Sequence, residues 1–118
     1  MSRLVETHRS FVNTWECDEN AHMNVQFYFK RFDEAARFFA LAHGGDHLAG
    51  LPPVRHVRYH SELAAAQSTV IRSGIIGTGP LAGWVMHRME EATTGRLAAT
   101  AVEGPGAPVS DALADEAE

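Results

Sequence analysis

Apolar and polar positions change period three times along the chain. From Leu4 to Trp15, Val5, Phe11, Val12 and Trp15 alternate loosely with polar residues, and the β-branched and aromatic content predicts a strand. A polar stretch from Glu16 to Met23 follows. From Asn24 to Ala42 the apolar residues return at steps of three and four: Tyr28, Phe32, Ala35, Phe39 and Ala42, with Phe29, Ala36 and Phe38 widening the stripe. Lys30, Arg31, Asp33, Glu34 and Arg37 fill much of the remainder, so the spacing predicts an amphipathic helix of about five turns. Asn24 is placed to cap its start, and Gly44 and Gly45 to stop it. Four segments rich in β-formers come next: Val54 to Leu63, Thr69 to Ile76, Leu81 to Glu90 and Arg96 to Val102. "GTGP" (Gly77 to Pro80) and "ATTG" (Ala92 to Gly95) are turn signals between the last three, and "AAA" (Ala64 to Ala66) reads as a bend. The expected order is strand, long helix, then an antiparallel meander of four strands.

That pattern sets the fold class: α+β, one long helix packed on an antiparallel sheet of about five strands. The 118 residues suit one domain, expected over 1–104. The closing segment, 105–118, is rich in Gly, Pro, Ala and acid, has no aromatic residue, and is expected to be a flexible tail. One helix is about 10 Å wide and strands sit about 4.8 Å apart, so it covers only part of such a sheet. A second copy of the chain is the simplest cover, which predicts a homodimer or a dimer of dimers.

Charge and cysteine content remove several classes of function. The net charge is −5 and Lys30 is the one lysine, so no basic stripe offers itself to nucleic acid. Cys17 stands alone and makes no internal disulfide. No apolar run approaches the ~20 residues of a membrane helix, and the N-terminus lacks a signal-peptide core, so a cytoplasmic protein is expected. His56 and His60 sit four apart in a strand, about 13 Å, too far for one metal ion. His43 and His47 bracket a Gly-rich loop without a zinc-site spacing. Neither metal nor cofactor is expected.

The candidate chemistry lies in "CDENAHMNVQFYF", Cys17 to Phe29. Asp18, Asn20, His22 and Asn24 fall on alternate residues just before the helix. Such a stretch reads either as a polar loop that caps the helix or as an active site at its N-terminus, where a carboxylate can serve as nucleophile or general base. Asp18 supplies a carboxylate, and unpaired first-turn amides at the positive end of the helix dipole supply an oxyanion site. Read alone, Asp18 is more often a loop or capping residue than a catalyst, His22 a loop histidine, and Cys17 a small buried residue. Glu34 is a second carboxylate on the helix, most simply solvated or salt-bridged.

"DENAHMNVQFYFKRFDEA", Asp18 to Ala35, resembles the D-x-x-G-H-(V/M)-N-N-x-x-Y-x-x-(Y/F)-(F/L)-(D/E)-x-A signature of the 4-hydroxybenzoyl-CoA thioesterase-like branch of the hotdog-fold thioesterases. Asp18, His22, Asn24, Tyr28 and Ala35 are in register with it. "DENAHMN" is also similar to a stretch of plant acyl-carrier-protein thioesterases, and "ATTGRLAATA" to the ending of many hotdog strands. The resemblance covers roughly Val5 to Val102.

It implies the hotdog fold and hydrolysis of acyl-CoA or acyl-carrier-protein thioesters. It also implies Asp18 as nucleophile or general base and the Val25 amide as oxyanion donor. His22, Asn20 and Asn24 become site residues, and Tyr28 and Phe32 pocket wall. Arg55, Arg58, Arg72, Arg88 and Arg96 are candidates for CoA phosphates. Two departures stand out. Ala21 replaces the family's Gly, which predicts a changed loop geometry, and Val25 replaces the second Asn. The alternatives are a hotdog enoyl-CoA hydratase or dehydratase, and a non-catalytic acyl-CoA-binding protein. His22 four residues after Asp18, with no Pro between, argues against hydration.

Overall fold

A computed structural model of the chain describes residues 4–42 and 54–104. Strand β1 (Val5–Phe11) leads through a 3₁₀ turn (Thr14–Glu16) and the polar loop to helix α1 (Val25–Ala42). Strands β2 (Val54–Tyr59), β3 (Ser68–Ile75), β4 (Val85–Glu91) and β5 (Leu97–Gly104) complete one antiparallel sheet. The expected helix and all five strands are present. The Gly44–Gly45 stop, His43, His47 and the 105–118 tail lie outside the described residues.

The strand order, β1-β3-β4-β5-β2, corrects the expected meander. Strands β3, β4 and β5 follow one another, but β2 crosses to the far edge and pairs with β5, Val54 opposite Gly104 and Tyr59 opposite Ala99. A turn signal fixes the join between two strands; it says nothing about which edge an earlier strand takes. The third predicted strand also starts too early. Residues 77–84 form a longer loop that buries Leu81 and Trp84 with Ile76, Met86 and Val102 in a small second core. Gly104 lies flat against Trp84, and a Cβ there would fall 2.2 Å from the indole.

Tyr28, Phe32, Ala35 and Phe39 are the buried stripe of α1, as their spacing requires. Most of it packs with Leu63, Ile71, Met89 and Ala99 to form the main core. Arg31, expected among the solvated residues, is instead buried, because its guanidinium meets several acceptors at once. Nη1 and Nη2 donate to the two carboxylate oxygens of Glu16 at 3.0 and 2.9 Å. Nε donates to Ser10 Oγ at 3.0 Å, and Nη2 also to the Phe11 carbonyl at 2.8 Å. One side chain thus ties the end of β1, the 3₁₀ turn and the first half of α1 together.

A second polar structure runs beneath α1. Thr7 Oγ1 meets Ser73 Oγ at 2.8 Å, and Ser73 Oγ meets His87 Nδ1 at 2.5 Å. His87 Nε2 approaches Glu103 Oε1 at 3.1 Å without hydrogen-bond alignment. Arg55 Nε donates to the same oxygen at 2.8 Å, and Arg55 also pairs with Asp33 on the helix. This rung touches all five strands. Burial alone would raise the Glu103 carboxyl, but His87 and Arg55 outweigh it and hold the group below its ordinary range.

Candidate functional site

The motif loop is closed on itself before it reaches α1. The Asp18 amide donates to the His22 carbonyl at 2.9 Å, and the Ala21 amide to the Asp18 carbonyl at 3.0 Å. Cys17 and Met23 face each other in an isolated bridge across the loop's base. The Met23 amide then donates to the Leu63 carbonyl (2.7 Å) and the Asn24 amide to the Glu16 carbonyl (2.8 Å). Glu16 therefore anchors the loop through its backbone while its side chain holds Arg31. Hydrogen bonds from Arg31 are the main reason its carboxyl falls to about 2, and they prevail over burial.

Ala21 adopts φ +64°, the left-handed conformation that the family's Gly takes freely. Alanine holds that conformation here at a cost of about 1–2 kcal/mol.

The Asp18 side chain is exposed. Its Oδ1 accepts from the amides of Asn20 (2.9 Å) and His22 (3.2 Å), the geometry of a loop-capping carboxylate. Oδ2 has no hydrogen bond among the described residues. Asn20 reaches Asp18 through its backbone, and its side chain is exposed. Cys17 is half-buried, with Sγ 3.6 Å from the Asn13 carbonyl. Asn24 stands at the N-cap position, its carbonyl accepting from the Phe27 amide at 3.0 Å. The Val25 and Gln26 amides have no acceptor among the described residues, as the first turn of a helix requires.

His22 does not turn its ring to Asp18. Nδ1 lies 3.0 Å from Glu62 Oε2, in a pair that is open to solvent. Sequence reasoning missed Glu62, which lies at the end of a segment read as one continuous strand. Strand β2 in fact stops at Tyr59, and 60–63 runs on beneath the motif loop. Glu34, by contrast, is paired with His8 Nε2 at 2.9 Å, away from the loop.

A cavity of about 290 Å³ opens at the head of α1, lined by Met23, Val25, Tyr28, Tyr59, His60, Ser61 and Glu62. The Tyr28 and Tyr59 rings meet edge to face, 5.1 Å between centroids. Burial is the first cause pushing both phenols above their ordinary range. Of the two expected wall residues, Tyr28 lines this cavity; Phe32 does not, being fully buried in the core 6.0 Å from the His87 ring. Asp18 is not part of the lining either.

The candidate phosphate-binding arginines divide as well. Arg55 is committed to the buried rung, Arg72 to Glu90 (2.5 Å), and Arg96 Nη1 to the Glu62 carbonyl (3.0 Å). Among the described residues no group of three or more His, Cys, Asp or Glu is arranged to hold a metal ion. No described helix is long and apolar enough to cross a membrane.

Comparison with known proteins places these features in a family. Residues 12–106 match the thioesterase-like superfamily. No curated protein sequence matches significantly. Among solved structures, protein SAV2348 of Staphylococcus aureus, in complex with CoA, superposes with a TM-score of 0.71 at 19% identity, covering 97% of this chain and 81% of that one. A gentisyl-coenzyme A thioesterase gives 0.67 at 18% identity, with 94% and 98% covered. The 1,4-dihydroxy-2-naphthoyl-CoA thioesterase of Synechocystis gives 0.65 at 10%, with 91% and 90% covered. At these identities the likeness is one of fold, the hotdog arrangement of a long helix on a five-stranded antiparallel sheet. Together with the family match over most of the sequence, it identifies the chain as a member of the thioesterase-like superfamily, a thioester hydrolase of the hotdog fold.

Proposed function

We propose that the chain hydrolyses acyl-CoA thioesters to free acid and CoA, with the acyl group in the cavity beside Tyr28. The observation that carries this reading is the position of Val25, which borders the cavity while its amide has no acceptor among the described residues. A thioester carbonyl drawn to that amide is polarised by the N–H and by the positive end of α1. The charge that develops on the oxygen meets a donor already oriented for it. The thiolate is a good leaving group, so attack on the carbonyl is the step that needs help.

Asp18 is the nucleophile or general base in this scheme. Two loop amides hold it through Oδ1 and leave Oδ2 for a carbonyl carbon or a water. Asn20, His22 and Asn24 fix the loop around it. The choice of CoA over an acyl-carrier protein is supported by the Staphylococcus aureus relative solved with CoA. The working unit is a homodimer: edge strands β1 and β2 have no second strand partner among the described residues, and Phe29, Phe38 and Leu41 are exposed on α1.

Thiol release from short, medium, long and aryl acyl-CoAs tests the scheme, with wild type and Asp18→Ala side by side. A loss of about 100-fold or more in kcat/KM, with folding intact, supports Asp18. Unchanged release in the variant removes Asp18 from the mechanism.

A further inference from the structure

The cavity at the head of α1 has one carboxylate in its lining, Glu62. Its backbone is pinned on both sides. The Ser61 amide donates to the Ala98 carbonyl (3.2 Å), Ser61 Oγ to the Leu97 carbonyl (2.7 Å), and Arg96 Nη1 to the Glu62 carbonyl itself (3.0 Å). Leu63, next in sequence, is fully buried and accepts the Met23 amide. The side chain is held in turn by His22 Nδ1, 3.0 Å from Oε2. Oε1 is left without a partner among the described residues. Glu62 is 70% exposed, so water reaches it directly. Val25 lines the same cavity, and the substrate carbonyl is assigned to its amide.

We propose that Glu62 is a further catalytic residue, the general base for the water that hydrolyses the acyl group. This rests on the thioester-hydrolase reading of the same cavity. Glu62 takes a proton from water as the water oxygen bonds to the acyl carbon, and the carbonyl electron pair moves onto oxygen beside the Val25 amide. Collapse of that tetrahedral species breaks the bond to the leaving group, which takes the proton back from Glu62. The leaving group is the CoA thiolate if water attacks the thioester directly, and the Asp18 carboxylate if Asp18 has already been acylated. Water and thioester become acid and thiol in either case. With the proton on Nδ1, His22 donates to Oε2 and keeps Glu62 turned to the cavity. The motif histidine is then a positioning residue for Glu62.

The test is steady-state thiol release by the full chain from butyryl-, decanoyl- and benzoyl-CoA, comparing wild type, Glu62→Gln and Glu62→Asp across pH, with thermal melts to confirm folding. Glu62→Gln is expected to lower kcat by about 100-fold or more while KM stays within about 3-fold. The acidic limb of its kcat profile should flatten, and Glu62→Asp should restore at least about 10-fold of the loss. A Gln variant with kcat within about 3-fold of an active wild type overturns the Glu62 assignment and leaves the hydrolase reading standing. So does a loss of rate with the acidic limb unchanged and no restoration by Asp, which is the pattern of a structural role. Wild type that releases no thiol from any of the three overturns both readings.

Discussion

Two of the histidine–carboxylate pairs among the described residues live in opposite surroundings. His22 and Glu62 meet at 3.0 Å on the rim of the cavity, 40% and 70% exposed. His87 and Glu103 meet at 3.1 Å under the helix, 0% and 6% exposed. The chemical groups are the same. In the open pair, water competes for both partners, so the contact adds little to stability. In the sealed pair no water helps, and each group depends on the next in the rung from Thr7 to Asp33. Ser73, His87 and Glu103 line up like a nucleophile, base and acid, yet no substrate reaches them. A catalytic-looking row of residues is a site only where it borders a space.

The comparison breaks most sharply on removal of a carboxylate. Glu103→Ala leaves Arg55 and His87 buried beside a missing partner, and urea unfolding should show a loss of about 3–5 kcal/mol or failure to fold. If Glu103→Ala unfolds like wild type, the rung is not structural.

Glu16 tests another buried pair, the one that holds the motif loop. Its carboxyl sits at about 2 against an ordinary 4.5, so the folded state gains stability that is complete above about pH 4.5 and lost as pH falls towards 2. Glu16→Gln should therefore cost about 3 kcal/mol at neutral pH, and its unfolding curve should converge on that of wild type near pH 2. A difference that stays constant with pH would point to packing alone.

Gly104→Ala drives a methyl into the Trp84 indole, and a thermal melt should register a loss of about 1–3 kcal/mol. Ala21→Gly acts in the other direction. It relieves the left-handed strain at φ +64° and should raise stability by about 0.5–1 kcal/mol, with the motif loop unchanged. Least of all, His22→Ala should shift unfolding by under about 1 kcal/mol, because its partner is already solvated. The same variant should lower thiol release several-fold, and that division between stability and rate is the sharpest form of the comparison.

The helix was legible because period and burial agree along it: Tyr28, Phe32, Ala35 and Phe39 share a face, and nothing else explains that spacing. The position of β2 was not legible, since pairing at the far edge is decided across the whole sheet. Arg31 looked solvated because charge is a good guide only when no acceptors converge; acceptors from four residues converge on it. The motif from Asp18 to Val25 pointed to the place proposed for the site. Glu62 stayed hidden because its role depends on 60–63 passing beneath that loop, a contact between residues about 40 apart in sequence. In β1 and the turn after it the alternation misled: Val5, Phe11 and Trp15 are exposed, while Thr7 points inward to begin the rung.

The bridge between Cys17 and Met23 makes the motif loop a ruler of fixed length. Both of its ends are tied to the body of the fold, through Glu16 on one side and Leu63 on the other. A residue inserted between Glu19 and Ala21 has nowhere to go but outward, as a bulge into solvent. It would change the count between Asp18 and His22 without changing the span from the loop's base to Val25. Length variation in this segment is thus decoupled from the reach of the helix terminus. A designer who wishes to re-aim Asp18 has to move the anchors and not lengthen the loop.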